Sequence, residues 1–185
     1  MTAVYFWWIG AAGADHGVLD FVRADAEAAF SLPIRLWSGR ERPDDAFDPK
    51  RQQHSSTRIL RWLLAQRPRH ADKIVGITDV DLFIPILTFV YGEAQLDGAA
   101  AVVSTARLAG GNGARSANIL LATRLAKECI HELGHTFGLI HCHQRGCVMG
   151  RSVTLAQVDA KDNTLCPDCW TKYRELQQRQ EVTHE

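Results

Sequence analysis

Three histidines, one glutamate and one glycine fall at fixed offsets in residues 131–141, H-E-L-G-H-T-F-G-L-I-H, and residues of those types at that spacing could do metal chemistry. His131 and His135 are four apart, so a helix stacks both imidazoles on one face, one turn above the other. Two neutral imidazoles so placed can take two corners of a zinc tetrahedron. Gly138 lets the chain leave the helix with a positive φ, which a Cβ resists, and the turn can bring His141 round as a third ligand. Glu132 points about 100° round the helix from His131. There it can reach a water on the open fourth corner without ligating the metal itself. With 8 histidines and 14 glycines available, chance assembles all five letters in roughly one shuffled chain in twenty thousand. The motif is therefore read as a metal centre with zinc as its occupant.

The cysteines continue the pattern. Cys142 and Cys147, then Cys166 and Cys169, are spaced C-x4-C and C-x2-C. By ligand type and count, four thiolates can close a tetrahedron and leave no corner for chemistry, so this set reads as a structural zinc site. Two disulfides, or four unrelated buried thiols, are the other readings, and a reducing compartment disfavours disulfides. His143 lies inside the Cys142–Cys147 loop and could replace a thiolate, although four cysteines already suffice. Leu121, Leu125, Cys129, Leu133 and Phe137 recur every four residues along the metal helix, an apolar stripe that makes Cys129 a buried, unreactive thiol facing away from the metal. His16, His54, His70 and His184 lie among polar or turn residues and read as solvated.

From the eleven-residue motif through C-x4-C-x-M to the last C-x-x-C, residues 131–169, the chain resembles the archaemetzincins, compact zinc peptidases of the metzincin clan. The D-L-F beginning at Asp81 and F-V-Y-G-E-A-Q at 89–95 also look like family segments. One departure stands out: sixteen residues separate Met149 from Cys166, one fewer than the family spacing. The resemblance implies that Met149 occupies the Met-turn, packing beneath the three-histidine centre. On its own, Met149 between Gly146 and Gly150 would more often be ordinary core. Because Cys147 lies two residues before Met149 and Cys142 directly follows His141, the four-cysteine zinc is expected to staple the turn that floors the catalytic site. Some metzincins supply a tyrosine soon after the Met-turn; here none appears before Tyr173.

The elements that must position these residues can be read in outline. Strands are expected at 4–9, 34–37, 73–78, 87–91 and 99–105, the last two joined by a turn at Asp97 and Gly98. Helices are expected at 15–30 and 53–66, and a polar one at 170–181 after the last cysteine pair. Residues 40–49 read as a loop, and 110–113 (G-G-N-G) as a flexible linker rather than a phosphate loop, since no lysine–serine pair follows. The expected fold is α+β and metzincin/zincin-like: a twisted mixed β-sheet backed by helices, an active-site helix beneath it, and a small C-terminal zinc-stapled subdomain. Residues 1–185 form one catalytic domain, with the sheet and active-site helix in 1–138 and the third histidine, Met-turn and cysteine site in 139–185. By resemblance, the strand at 99–105 is the exposed edge bordering the substrate cleft, where an extended peptide could pair.

Composition limits the alternatives. Basic and acidic residues balance at 21 each, which gives no electrostatic case for nucleic-acid or membrane binding. Residues 3–12 are apolar without a basic n-region before them, so they read as a buried strand and not a signal peptide; a soluble, cytoplasmic monomer is expected. The expected chemistry is hydrolysis of a peptide bond in a peptide or protein substrate. Two Zn2+ ions are expected: a catalytic one on His131, His135 and His141, and a structural one on Cys142, Cys147, Cys166 and Cys169. Glu132 is the general base for the zinc-bound water. Two other functions stay open, a catalytically silent zinc-stabilised peptide-binding module and a zinc amidohydrolase acting on a non-peptide amide.

Overall fold

The computed structural model describes residues 2–10, 13, 15–38, 42–109 and 114–183. The G-G-N-G linker and His184 lie outside the described residues, as does the start of the 40–49 loop. Strand β1 (Val4–Trp8) is a run of β-branched and aromatic residues. Helix α1 (His16–Phe30) follows, started by the Asp15 carboxylate accepting from the Val18 N–H at 3.2 Å. The chain returns through β2 (Ile34–Ser38). Next come a 3-10 turn (Asp44–Ala46) and the short strands β3 (Phe47–Asp48) and β4 (Gln53–Ser55). The expected loop and the first turn of the expected second helix are thus partly strand. Helix α2 (Ser56–Gln66) begins only after β4, capped by Ser55. His54 sits in β4 with its ring 5.0 Å from that of Phe47, half-buried rather than solvated.

Strands β5 (Lys73–Thr78), β6 (Leu82–Phe83), β7 (Gly92–Ala94) and β8 (Ala100–Ser104) complete two sheets. The larger runs β2-β1-β5-β8-β7, and the smaller β3-β4-β6. The first four strands of the larger sheet are parallel, and β7 pairs antiparallel with β8. The period-2 alternation of strands sorts their side chains cleanly. Val4, Phe6, Val75, Ile77, Ala101 and Val103 face one cluster, and Tyr5, Trp7, Ile74, Ala100 and Val102 face the other. The second face packs on α2 through Ile59, Leu60 and Leu63. The first carries α1 and the long helix α3 (Ala114–Thr136), so one of the two backing helices shares the metal helix's side of the sheet.

Two expectations are corrected. Residues 87–91 are not a strand; apart from a bridge from Val90 to Leu82, they form an irregular wall, and the strand before the Asp97 turn is β7. Nor is 99–105 the edge. All five residues of β8 are buried, because helices cover both faces and strands flank both sides, the usual setting of a continuous apolar strand. The edge is β7.

Leu125, Cys129 and Leu133 of α3 and Phe137 just past its end are fully buried, and each large apolar side chain so covered contributes about 1.5–3 kcal/mol. Beyond the helix lie α4 (Leu155–Asp159), held by a Thr154/Gln157 capping box, and α5 (Pro167–Thr183). Val148, Met149, Val158 and Tyr173 from this C-terminal stretch enter the same apolar cluster as α1 and α3. Among the described residues no helix is long and apolar enough to cross a membrane.

Candidate active site

The apolar stripe fixes the rotation of α3, and with it the face that carries His131 and His135. The helix end is pinned from the sheet. Lys73 of β5 donates to the Thr136 carbonyl at 2.7 Å, and the Asp97 N–H donates to the His135 carbonyl at 2.9 Å. A cation on the last carbonyls also suits the negative end of the helix dipole. Gly138 has φ +90°, the left-handed exit expected of it. That turn places the Leu139 carbonyl 2.7 Å from His135 Nδ1, while the Val148 carbonyl lies 2.9 Å from His131 Nδ1. A carbonyl can only accept, so both Nδ1 atoms carry the proton and both Nε2 atoms present lone pairs.

Those two Nε2 atoms are 3.1 Å apart. Two lone pairs facing at that distance repel unless a cation lies between them, and a zinc tetrahedron with N ligands sets its corners about 3.3 Å apart. His141 completes the group: its ring centroid is 5.3 Å from that of His131 and 4.9 Å from that of His135. The ligating atoms of the three histidines all lie within 4.8 Å of one another. Burial lowers the pKa of each imidazole, most strongly for His131, which keeps all three neutral and ready to ligate near pH 7. The donor set therefore fits zinc.

Glu132 is 6% exposed and lies against the cleft. Burial, and then the neighbouring Glu128 carboxylate, push its pKa well up, which raises its affinity for a proton taken from water. A cavity of about 290 Å³ opens over Glu132, His131 and His141, walled by 87–92 on one side and 151–153 on the other. Beneath the histidines Met149 is fully buried. Its approach depends on the fourth letter of H-E-L-G-H, because a Cβ at Gly134 would stand 2.5 Å from Met149 Sδ. The thioether thus packs directly against the active-site helix, and the Cys142 N–H holds the Met149 carbonyl at 3.0 Å.

The four cysteines expected to act together do converge. The Sγ atoms of Cys142, Cys147, Cys166 and Cys169 lie within 4.8 Å of one another, with 3.8 Å from Cys142 to Cys166. No disulfide joins them, and sulfurs around zinc stand about 3.8 Å apart. Burial and the adjoining sulfurs push the Cys169 thiol far up, the direction that a bound cation would reverse. His143 is exposed and outside the group. Cys129 is fully buried, and burial pushes its thiol well up, as expected of an inert core thiol.

Several residues escaped the sequence reading. Glu128, one turn before Glu132, accepts from Lys161 Nζ at 2.8 Å, and both side chains are buried. Lys161 also donates to the Gly150 carbonyl at 3.2 Å, so it ties the helix to the residue after Met149. The i, i+4 spacing of Glu128 and Glu132 was the available signal; Lys161, far along the chain, had none. Gly92 of β7 leaves room for Glu132, whose Oε1 would be 2.8 Å from a Cβ there. Tyr91 lines the cleft, whereas Tyr173 is stacked among Phe30, Phe137 and Trp170 and takes no part. Asp81, noted in the D-L-F segment, is structural: its carboxylate accepts two bonds from Arg107 at 2.6 and 2.7 Å.

A mixed sheet over a helix carrying H-E-x-x-H, with a third histidine delivered by a left-handed turn above a methionine floor, defines the metzincin type of zinc peptidase. Residues 30–175 match peptidase family M54. Archaemetzincin of Haloquadratum walsbyi is 37% identical over 156 residues, which span 80% of this chain and 89% of that protein. The crystal structure of archaemetzincin from Methanopyrus kandleri superposes with a TM-score of 0.82 at 29% identity, covering 95% of this chain and 96% of that one. A zinc-dependent peptidase from Methanocorpusculum labreanum gives 0.81 at 27% identity, over 92% of this chain and 100% of the other. The chain belongs to peptidase family M54, the archaemetzincins, and is a zinc metallopeptidase.

Proposed function

We propose that the chain hydrolyses peptide bonds at the three-histidine centre, with His131, His135 and His141 holding a catalytic zinc and Glu132 acting as general base. The observation that carries this reading is the convergence of three imidazoles beside a buried carboxylate on the wall of one open cavity. When bound there, zinc supplies a Lewis acid for the scissile carbonyl and lowers the pKa of a coordinated water from ~15.7 towards ~7. Glu132 takes the proton of the attacking water and returns it to the leaving amine. Val148 and Leu139 hold the imidazoles of His131 and His135 through their carbonyls, so neither ring turns during the reaction. The outer edge of β7 has no strand partner among the described residues; an extended substrate pairs there, beside Gly92, with little demand on its side chains.

A second zinc binds Cys142, Cys147, Cys166 and Cys169 and staples residues 139–185, as a C-terminal subdomain, under the site. The chain works as a cytoplasmic monomer on dissolved peptides. Its balanced charge and unpaired cysteines agree with that setting.

The test is cleavage of a mixed peptide library by zinc-loaded protein, read by mass spectrometry beside Glu132→Ala. Cleavage that falls about 10²–10⁴-fold in the variant, with zinc retained, is the expected result. Intact peptides in both samples, at full zinc content, would replace this reading with the silent binding module or the non-peptide amidohydrolase.

A further inference from the structure

The wall segment just past the Met-turn holds two hydrogen-bond donors without a protein partner among the described residues. Arg151 lines the catalytic cavity with His141 and Glu132 and is exposed. Among the described residues its guanidinium makes no hydrogen bond or ion pair, in contrast to Arg23, Arg42, Arg107 and Arg124, which all hold carboxylates. Beside it, Ser152 keeps its Oγ buried with no hydrogen-bond partner. The acidic groups of the cavity do not serve Arg151. Glu128 is neutralised by Lys161 at 2.8 Å, and Glu132 lies buried against Gly92 of β7. The rest of the lining is largely apolar or aromatic: Leu87, Phe89, Val90, Tyr91 and Val153. A cavity of about 290 Å³ takes one residue of a peptide.

We infer that Arg151 is a specificity-determining residue that receives a carboxylate of the substrate, next to the scissile bond, with Ser152 as a second donor. A guanidinium presents a planar fork that matches a carboxylate in two parallel bonds. A wall built to bond a carboxylate rejects the isosteric amide, since the amide leaves a donor facing a donor. The carboxylate has two possible sources with the same chemistry: an aspartate or glutamate side chain after the cleaved bond, or the free C-terminus of a short peptide. This inference rests on the peptidase reading of the same site.

The experiment compares kcat/KM for matched peptides in the wild-type protein, Arg151→Ala and Arg151→Lys. One arm places aspartate or asparagine immediately after the scissile bond, and the other offers a free or an amidated C-terminus. An acid-over-amide preference of about tenfold or more, lost in Arg151→Ala and partly restored in Arg151→Lys, is expected in one arm, and that arm names the source. A preference that is absent from both arms, or that survives Arg151→Ala, overturns the inference while leaving peptide cleavage intact. The same pairs are titrated calorimetrically into zinc-loaded Glu132→Gln, which does not depend on turnover. Arg151-dependent preference in binding without cleavage by the wild-type protein sinks the peptidase reading, and with it the placement beside a scissile bond, while Arg151 stands as the carboxylate receptor. Equal binding of acid and amide sinks the inference.

Discussion

The two clusters of metal-type ligands meet at adjacent residues, His141 and Cys142, yet they are built in opposite ways. The imidazoles are held from outside. A long helix anchored by its apolar stripe carries two of them, backbone carbonyls fix those two rings, and one side opens on a cavity. The sulfurs come from the 142–147 turn and from the start of α5, and they lie within 4.8 Å of one another, four protein ligands that could fill every corner of a tetrahedron. An open corner permits chemistry, and a filled one permits only structure. On the proposed reading, the closed centre would secure the turn bearing Met149, which in turn would support the open one.

The sharpest way to break that comparison is to empty the closed centre. Cys166→Ser with Cys169→Ser should lose one zinc and lower unfolding stability by about 4 kcal/mol in zinc a thousandfold above its Kd, measured by denaturant titration. Peptidase activity should fall as well, since the Met149 turn is loosened. Full activity with a single zinc would show that the two centres are independent.

Next in size is the ion pair that links the helix to the Met149 turn. Lys161→Met leaves Glu128 buried without its partner, at a cost of roughly 3 kcal/mol. The double variant with Glu128→Gln should recover most of that loss, both read by thermal melts. If the single variant melts like the wild type, the pair carries no structural weight.

Packing under the histidines is sharpened by Gly134→Ala, which drives a Cβ against Met149 Sδ. A cost of about 1–3 kcal/mol is expected, and Met149→Ala in the same background should relieve part of it. Unchanged stability would mean that the thioether does not fill the space beneath the helix.

The smallest effect concerns pH. The two bonds from Arg124 hold the Asp159 carboxyl below its usual range. A depressed folded pKa adds stability that is complete above the unfolded value near ~3.9 and is lost as pH falls through the folded pKa. Arg124→Met should therefore flatten the acid limb of stability below about pH 4, by under ~1 kcal/mol because Asp159 is substantially exposed. An acid limb of unchanged slope would contradict the assignment.

What could be read from the chain follows from the range of the interactions. His131, His135 and Gly138 sit on one helix and its exit, where spacing alone dictates geometry, and the C-x4-C and C-x2-C pairs are likewise local. Strand order is not local. Whether β8 or β7 forms the edge depends on which strand pairs last, and the apolar letters of 87–91 mimic a strand while they line a cleft. Lys161 reaches Glu128 across 33 residues, and Gly92 meets Glu132 from another layer, so neither leaves a periodic trace. Cleft residues such as Arg151 belong to the same category: their role is set by what faces them.

Zinc counting by native mass spectrometry, paired with peptide cleavage, tests the division of labour most directly. The wild-type chain should carry two zincs, and His135→Ala and Cys166→Ser one each, with cleavage abolished in the histidine variant. A wild-type chain with one zinc, or a histidine variant that still cuts peptides, would contradict the account.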